Sequence, residues 1–174
     1  MILEIAFNDE IISKATQRDN ELKDLNNSIT KGRGRKAGFV AEEAFGYNFP
    51  GFKPTKGSLV YNQDFLLDNE RYELKTKRSS FMPQLDWEQS VSEFSTHQKP
   101  DFYVFMHIKF NRHDDSKGYR EYFGVEKVLI DGYLPYEEFW EKAYVVKTGE
   151  KSGVKDYVSR ATQHNILIKD LKEF

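Results

Sequence analysis

Residues 101–110 read DFYVFMHIKF, and nearly every position carries an apolar side chain. In a strand, successive side chains point to opposite faces. A strand of this composition therefore needs cover on both sides, as a central strand in a layered protein has. His107 lies inside this run, and a hydrogen-bonded core histidine is the expected reading of it.

The flanking segments say what supplies the cover. ILEIAF, near the start, predicts a short strand, with Asn8 as the N-cap of a helix running to about Leu25 on the stripe Ile11, Ile12, Ala15, Leu22 and Leu25. NNSITKGRGRK is a polar, Gly-containing loop, and AGFVAEEAFGYNF predicts a second helix ending near Gly46. SLVYNQDFLL and RYELKTK predict two strands around the turn Asp68-Asn69. Residues 84–98, QLDWEQSVSEFSTHQ, suggest a helix, and NRHDDSKG a turn. YREYFGVEKVLI predicts the next strand, LPYEEFWEKA a short helix with Pro near its start, and the tail one more strand around Ile166–Ile168. The expected class is α/β, with a mixed central β-sheet flanked by helices in a single domain over residues 1–174.

Composition narrows the setting. Aromatic residues make up 15% of the chain, which favours a sheet over a helical bundle. There is no cysteine, which excludes disulfides and thiolate-bound zinc. No apolar run approaches the roughly 20 residues that cross a bilayer, and MILEIAFNDE is not a signal peptide, so a cytosolic, cytoplasmic setting is expected. The net charge of −2 gives no general attraction to a polyanion, but the positive charge is clustered. Lys31, Arg33, Arg35 and Lys36 crowd into KGRGRK, and Lys75, Lys77 and Arg78 into KTKR.

The tripeptide Glu-Leu-Lys occurs twice, at 21–23 and at 73–75. On a helix, residues two apart diverge by about 200°, so Glu21 and Lys23 share no site. On a strand they share a face, so Glu73 and Lys75 project together. A two-residue turn at Asp68-Asn69 would place Leu67 opposite Glu70, Phe65 opposite Tyr72 and Asp64 opposite Glu73. Phe65, Leu67, Tyr72 and Leu74 then form an apolar face, and Asp64, Glu73 and Lys75 the other. A three-residue loop would instead set Asp64 against Leu74.

Opposed carboxylates on neighbouring strands repel. A divalent cation between them reverses the sign of that interaction. Two hard oxygen ligands with open positions suit Mg²⁺, which shares its shell with water and phosphate. A lysine beside such an ion can orient water or steady charge on a phosphate.

Asp64 followed by Glu73-Leu74-Lys75 across a β-hairpin resembles the signature of the PD-(D/E)XK nuclease superfamily, which includes restriction-type, resolvase, phage and mobile-element endonucleases. The likeness covers about residues 36–110. It implies a restriction-endonuclease-like fold and Mg²⁺-dependent hydrolysis of DNA phosphodiesters, with Mn²⁺ as a substitute. It also implies roles. Asp64 and Glu73 would be metal ligands, joined by the Leu74 carbonyl, and Lys75 the catalytic lysine. Glu42 would be an outer ligand, from GFVAE standing where the family has G-x-x-G-E, with Glu43 the competing choice. Gln63 replaces the leading Pro of the motif, and either Gln84 or Gln89 would be the glutamine that touches such sites in some members.

Lys31, Arg33, Arg35, Lys36, Lys77 and Arg78 are the expected contacts to the nucleic-acid backbone, through salt-dependent phosphate binding. A homodimer would bring one active site to each strand of a duplex. A non-catalytic nucleic-acid-binding protein on the same scaffold is the alternative, although a binder has no need of opposed acids. His113-Asp114-Asp115 is read as a solvated turn and not as a metal site.

Overall fold

The expected central strand is β6 (Phe102–Asp114), and it is covered on both faces. Val104, Met106, Ile108 and Phe110 turn to one side, and Tyr103 and Phe105 to the other. The computed structural model describes residues 1–21, 34–56, 63–117, 119–151 and 158–174. The other strands are β1 (Leu3–Ile5), β2 (Lys53–Pro54), β3 (Phe65–Leu67), β4 (Glu70–Ser79), β5 (Glu88–Ser92), β7 (Glu121–Pro135), β8 (Tyr144–Val146) and β9 (Gln163–Leu167). The helices are α1 (Asp9–Glu21), α2 (Arg35–Asn48) and α3 (Tyr136–Lys142).

The class is α/β. Six strands form one mixed sheet in the order β1-β7-β6-β4-β3-β2, and three form a second in the order β5-β9-β8. In the large sheet only β4 and β6 run parallel. Helices α1 and α2 cover one face, where Ala37, Val40, Ala41, Ala44 and Phe45 of α2 join Phe65, Tyr72, Leu74 and the inward residues of β6 and β7 in one core. On the opposite face, Phe139 of α3, Val91 of β5 and Ile166 of β9 pack on Tyr103 and Phe105.

Helix α1 starts where a capping residue allows it. The Asn8 side-chain oxygen accepts from the Ile11 N–H at 3.0 Å, and the Asn8 carbonyl accepts from the Ile12 N–H at 3.2 Å. Asp9 and Glu10 then lie in the positive first turn. Asn8→Ala is expected to cost about 1 kcal/mol, seen as a melting temperature lower by about 2–4 °C. The expected extension of α1 to Leu25 falls outside the described residues.

The hairpin turns as expected. Asp68 and Asn69 both take positive φ, 50° and 71°, as a two-residue hairpin turn matched to strand twist requires. The register follows: Leu67 faces Glu70, Leu66 faces Arg71 and Phe65 faces Tyr72. Residues 58–62 of the expected first strand lie outside the described residues.

Two expectations about elements are overturned. Residues 84–98 are not a helix: Glu88–Ser92 form β5, paired antiparallel with β9, and Glu93–Ser95 a single 3₁₀ turn capped by the Ser92 side chain. Ser90-Val91-Ser92 is a weak helix former, and pairing with β9 outweighs the helical spacing of the apolar residues. The turn expected at NRHDDSKG begins later, because β6 continues to Asp114 opposite Glu121 of β7. No helix among the described residues is long and apolar enough to cross a membrane.

Candidate active site

Strand β3 ends at Phe65, opposite Tyr72, while β4 continues. One residue before that end, the Asp64 N–H donates to the Tyr72 carbonyl at 2.9 Å. The Asp64 carboxylate takes the place of the missing strand: its Oδ2 accepts from the Leu74 N–H at 2.8 Å. Asp64 is therefore not squarely across from Glu73, but turned onto the backbone that follows it. N–H and C=O of one strand residue point to the same edge, so the Leu74 carbonyl also points toward Asp64.

The side chains of β4 divide as a strand dictates. Tyr72 and Leu74 enter the core beneath α2. Glu73, Lys75 and Lys77 pair across the parallel register with Tyr103, Phe105 and His107, and so face the second sheet. Glu73 is only 5% exposed. Its Oε1 accepts from the Lys75 ammonium at 2.8 Å. Its Oε2 is buried and has no hydrogen-bond partner among the described residues. Lys75 also donates to Gln98 Oε1 at 2.8 Å, from the loop after the 3₁₀ turn.

Glu42 joins this group from α2. Burial raises the Glu42 pKa, and Glu73 adds to that rise; Glu42 in turn adds to the rise of Asp64. Asp64 is pushed well above the usual carboxylate range, first by burial, then by Glu73 and Glu42, against the Leu74 N–H and Lys75. Glu73 is raised by burial, against the pull of Lys75, Gln98 and His97. Glu42 is raised by burial, against Arg18 of α1. Arg18 Nη2 lies 2.6 Å from Glu42 Oε2, and its Nη1 2.9 Å from Glu43 Oε1.

The buried Glu73 and the half-buried Asp64 and Glu42 disfavour one another's charge and form an oxygen-rich cluster, in which Glu73 Oε2 has no hydrogen-bond partner among the described residues. Asp64, Glu73 and the Leu74 carbonyl suit a hard divalent cation in chemistry. Among the described residues, no three His, Asp or Glu side chains stand close enough to hold a metal ion as they are. The reason lies in their partners: Glu73 is turned to Lys75, Asp64 to the Leu74 N–H, and Glu42 to Arg18.

Gln98 is the residue that sequence reasoning missed. Gln84 and Gln89 were the expected candidates, but Gln84 precedes β5, and Gln89 donates instead to Asp131 and to the Met106 carbonyl. The expected helix would have carried the wrong glutamines inward. The crossover from β4 to β6 is instead closed by a loop, ending at Pro100, that hangs Gln98 over Lys75.

The basic residues divide. Lys31 and Arg33 lie outside the described residues. Lys36 is half-exposed in the first turn of α2. Arg35 is turned to α1, 2.9 Å from Asp19 Oδ1. Arg78 lies with its guanidinium 5.0 Å from the centre of the Tyr122 ring. Lys77 does not fit the surface role expected of it: its ammonium donates inward to the Glu88 carbonyl at 2.7 Å. The strand period explains this, because Lys77 shares the inward face of Glu73 and Lys75.

His107 is a core histidine, as expected, with Nε2 2.9 Å from Ser79 Oγ. His113 Nδ1 lies 2.6 Å from Ser80 Oγ, and Asp115 pairs with Arg120 at 3.0 Å. No protein-family model matches the chain, and no curated protein is similar to it in sequence, so the site stands on its own geometry.

Proposed function

We propose that this chain is a Mg²⁺-dependent DNA endonuclease of the PD-(D/E)XK type, with a restriction-endonuclease-like fold. The observation that carries the reading is Glu73: a buried carboxylate with Lys75 on one oxygen and, among the described residues, no hydrogen-bond partner on the other, beside Asp64 at the broken end of a strand pair. A fold gains no stability from burying a carboxylate such as Glu73 beside two other acids. Such strain is retained where it serves chemistry. The parallel pair β4–β6, reached by a crossover and preceded by the acid-bearing α2, supports the fold reading.

Asp64, Glu73 and the Leu74 carbonyl would hold Mg²⁺, or Mn²⁺ in its place, with Glu42 as an outer ligand. When bound, the ion lowers the pKa of water and neutralises charge on the phosphate. Lys75 is held between Glu73 and Gln98, and an ammonium fixed in this way would orient water and steady charge on a phosphate at the ion. The second sheet and the Gln98 loop cover this face and keep bulk water from Glu73. Lys36, with Lys31 and Arg33 of the preceding segment, supplies phosphate contacts before α2. The cysteine-free sequence accords with a cytoplasmic setting, and a homodimer would give a duplex one site per strand.

Supercoiled plasmid with Mg²⁺ tests this directly. Wild type is expected to nick it, and Asp64→Ala to bind DNA in Ca²⁺ without nicking. Equal cleavage by the two proteins would remove Asp64 from the reaction.

A further inference from the structure

Arg18 occupies the acids that α2 turns toward α1. Its guanidinium bridges both acids of α2, at 2.6 Å from Glu42 and 2.9 Å from Glu43, and lies 4.2 Å from the centre of the Phe39 ring. A second pair, Arg35 with Asp19, already ties α1 to α2. Arg18 is therefore not the only tie between these helices. What it adds is a positive charge on Glu42, next in sequence to Ala41, which packs in one core with Tyr72 and Leu74 of β4.

The cluster contains two resident cations, Lys75 on Glu73 and Arg18 on Glu42. An arginine does not shed its proton in a protein. A Glu42 oxygen thus becomes available to another cation only when the guanidinium moves off it. Two positive charges at one carboxylate exclude each other, most strongly where water is scarce.

We propose that Arg18 is the counter-ion that holds the acid cluster together before a divalent cation binds, and that it competes with that cation for Glu42. The proposal rests on the metal-dependent reading above. Arg18 is then a positioning residue acting through Glu42, and it sets how much divalent cation the site requires. Removing its charge is expected to loosen the metal-free protein and tighten its hold on the ion.

Calorimetric titration of Mn²⁺ into the full chain, without DNA, reads this. Arg18→Gln is expected to bind Mn²⁺ several-fold tighter than wild type and to melt lower without metal. Arg18→Lys, a point charge that cannot serve both acids through a planar fork, is expected to lie between them and covers the case in which the Gln variant does not fold. Arg35→Gln is expected to melt lower with its Mn²⁺ affinity unchanged, because its partner Asp19 is outside the cluster. Wild-type affinity retained or weakened in both Arg18 variants would overturn the competition and leave the metal site standing. No Mn²⁺ uptake by wild type or any variant would remove the metal site, and the competition with it.

Discussion

Glu73→Gln is expected to reduce Mg²⁺-dependent cleavage by roughly 10³-fold, in line with losing one charge-stabilising group from an active site, while raising stability. Gln keeps the shape and an oxygen to accept from Lys75, so the packing against Tyr103 and Phe105 is undisturbed. It removes a charge that the site disfavours, since burial raises the Glu73 pKa despite Lys75, Gln98 and His97. It also removes a repulsion felt by both Asp64 and Glu42. The sign follows from linkage. A carboxyl whose folded pKa is raised contributes stability below its unfolded value and loses it as pH rises through the folded one. The advantage of Gln should therefore grow as pH rises above the ordinary Glu value of 4.5, and show as a higher melting temperature. Plasmid nicking near pH 8 and thermal melts from pH 4.5 upward measure the two effects. A variant that loses both activity and stability would mark Glu73 as an ordinary structural ion pair. The opposed changes are what a stability-for-activity exchange at a functional site produces.

Much of this arrangement was legible because strands write their period plainly. DFYVFMHIKF could be only a doubly covered strand, and β6 is one. Asp68-Asn69 announced a two-residue turn, and that turn set the register of Phe65 against Tyr72, while the strand period puts Glu73 and Lys75 on one face. What the hairpin rule did not contain was the local break at Asp64, where a side chain replaces a ladder partner. Residues 84–98 were misread because their apolar spacing fits a helix, whereas their partner, β9, lies some seventy residues downstream and leaves no local mark. The glutamine followed that error: only a chain leaving β5 through the Ser92-capped turn brings Gln98 back over Lys75. Lys77 was misplaced for a different reason. Its charge suggested surface, yet the period that aligns Glu73 and Lys75 also turns Lys77 inward.

Lys77 opens onto a second buried group, and there Asp131→Asn is expected to change the pH dependence of stability more than any other single substitution outside the acid cluster. The groups facing Asp131 come from three strands, Lys77 of β4, Gln89 of β5 and His107 of β6, and Glu88 of β5, held by Tyr144 of β8 and Asn165 of β9, acts on Lys77. Gln89 donates to Asp131 Oδ2, while Oδ1 is buried without a partner. His107 Nδ1 is 3.9 Å away, but burial lowers that imidazole to about 4, so it is neutral near pH 7 and makes no ion pair. Burial raises Asp131 to about 7, against Gln89 and Lys77. Its ionisation therefore costs stability as pH climbs from its ordinary value of 3.8 through about 7, by something on the order of 4 kcal/mol at 1.36 kcal/mol per pKa unit. Lys77 has the opposite sign. Burial lowers it to about 8, and its charge costs stability as pH falls through that value. Asparagine still accepts from Gln89 and never ionises, and Lys77 keeps Glu88 as its nearest opposite charge. Urea denaturation should find the variant and wild type nearly equal at pH 4, and the variant clearly more stable at pH 8.5. Parallel stability profiles for the two proteins across this range would show that Asp131 is charged at no net cost, stabilised where it lies by Lys77.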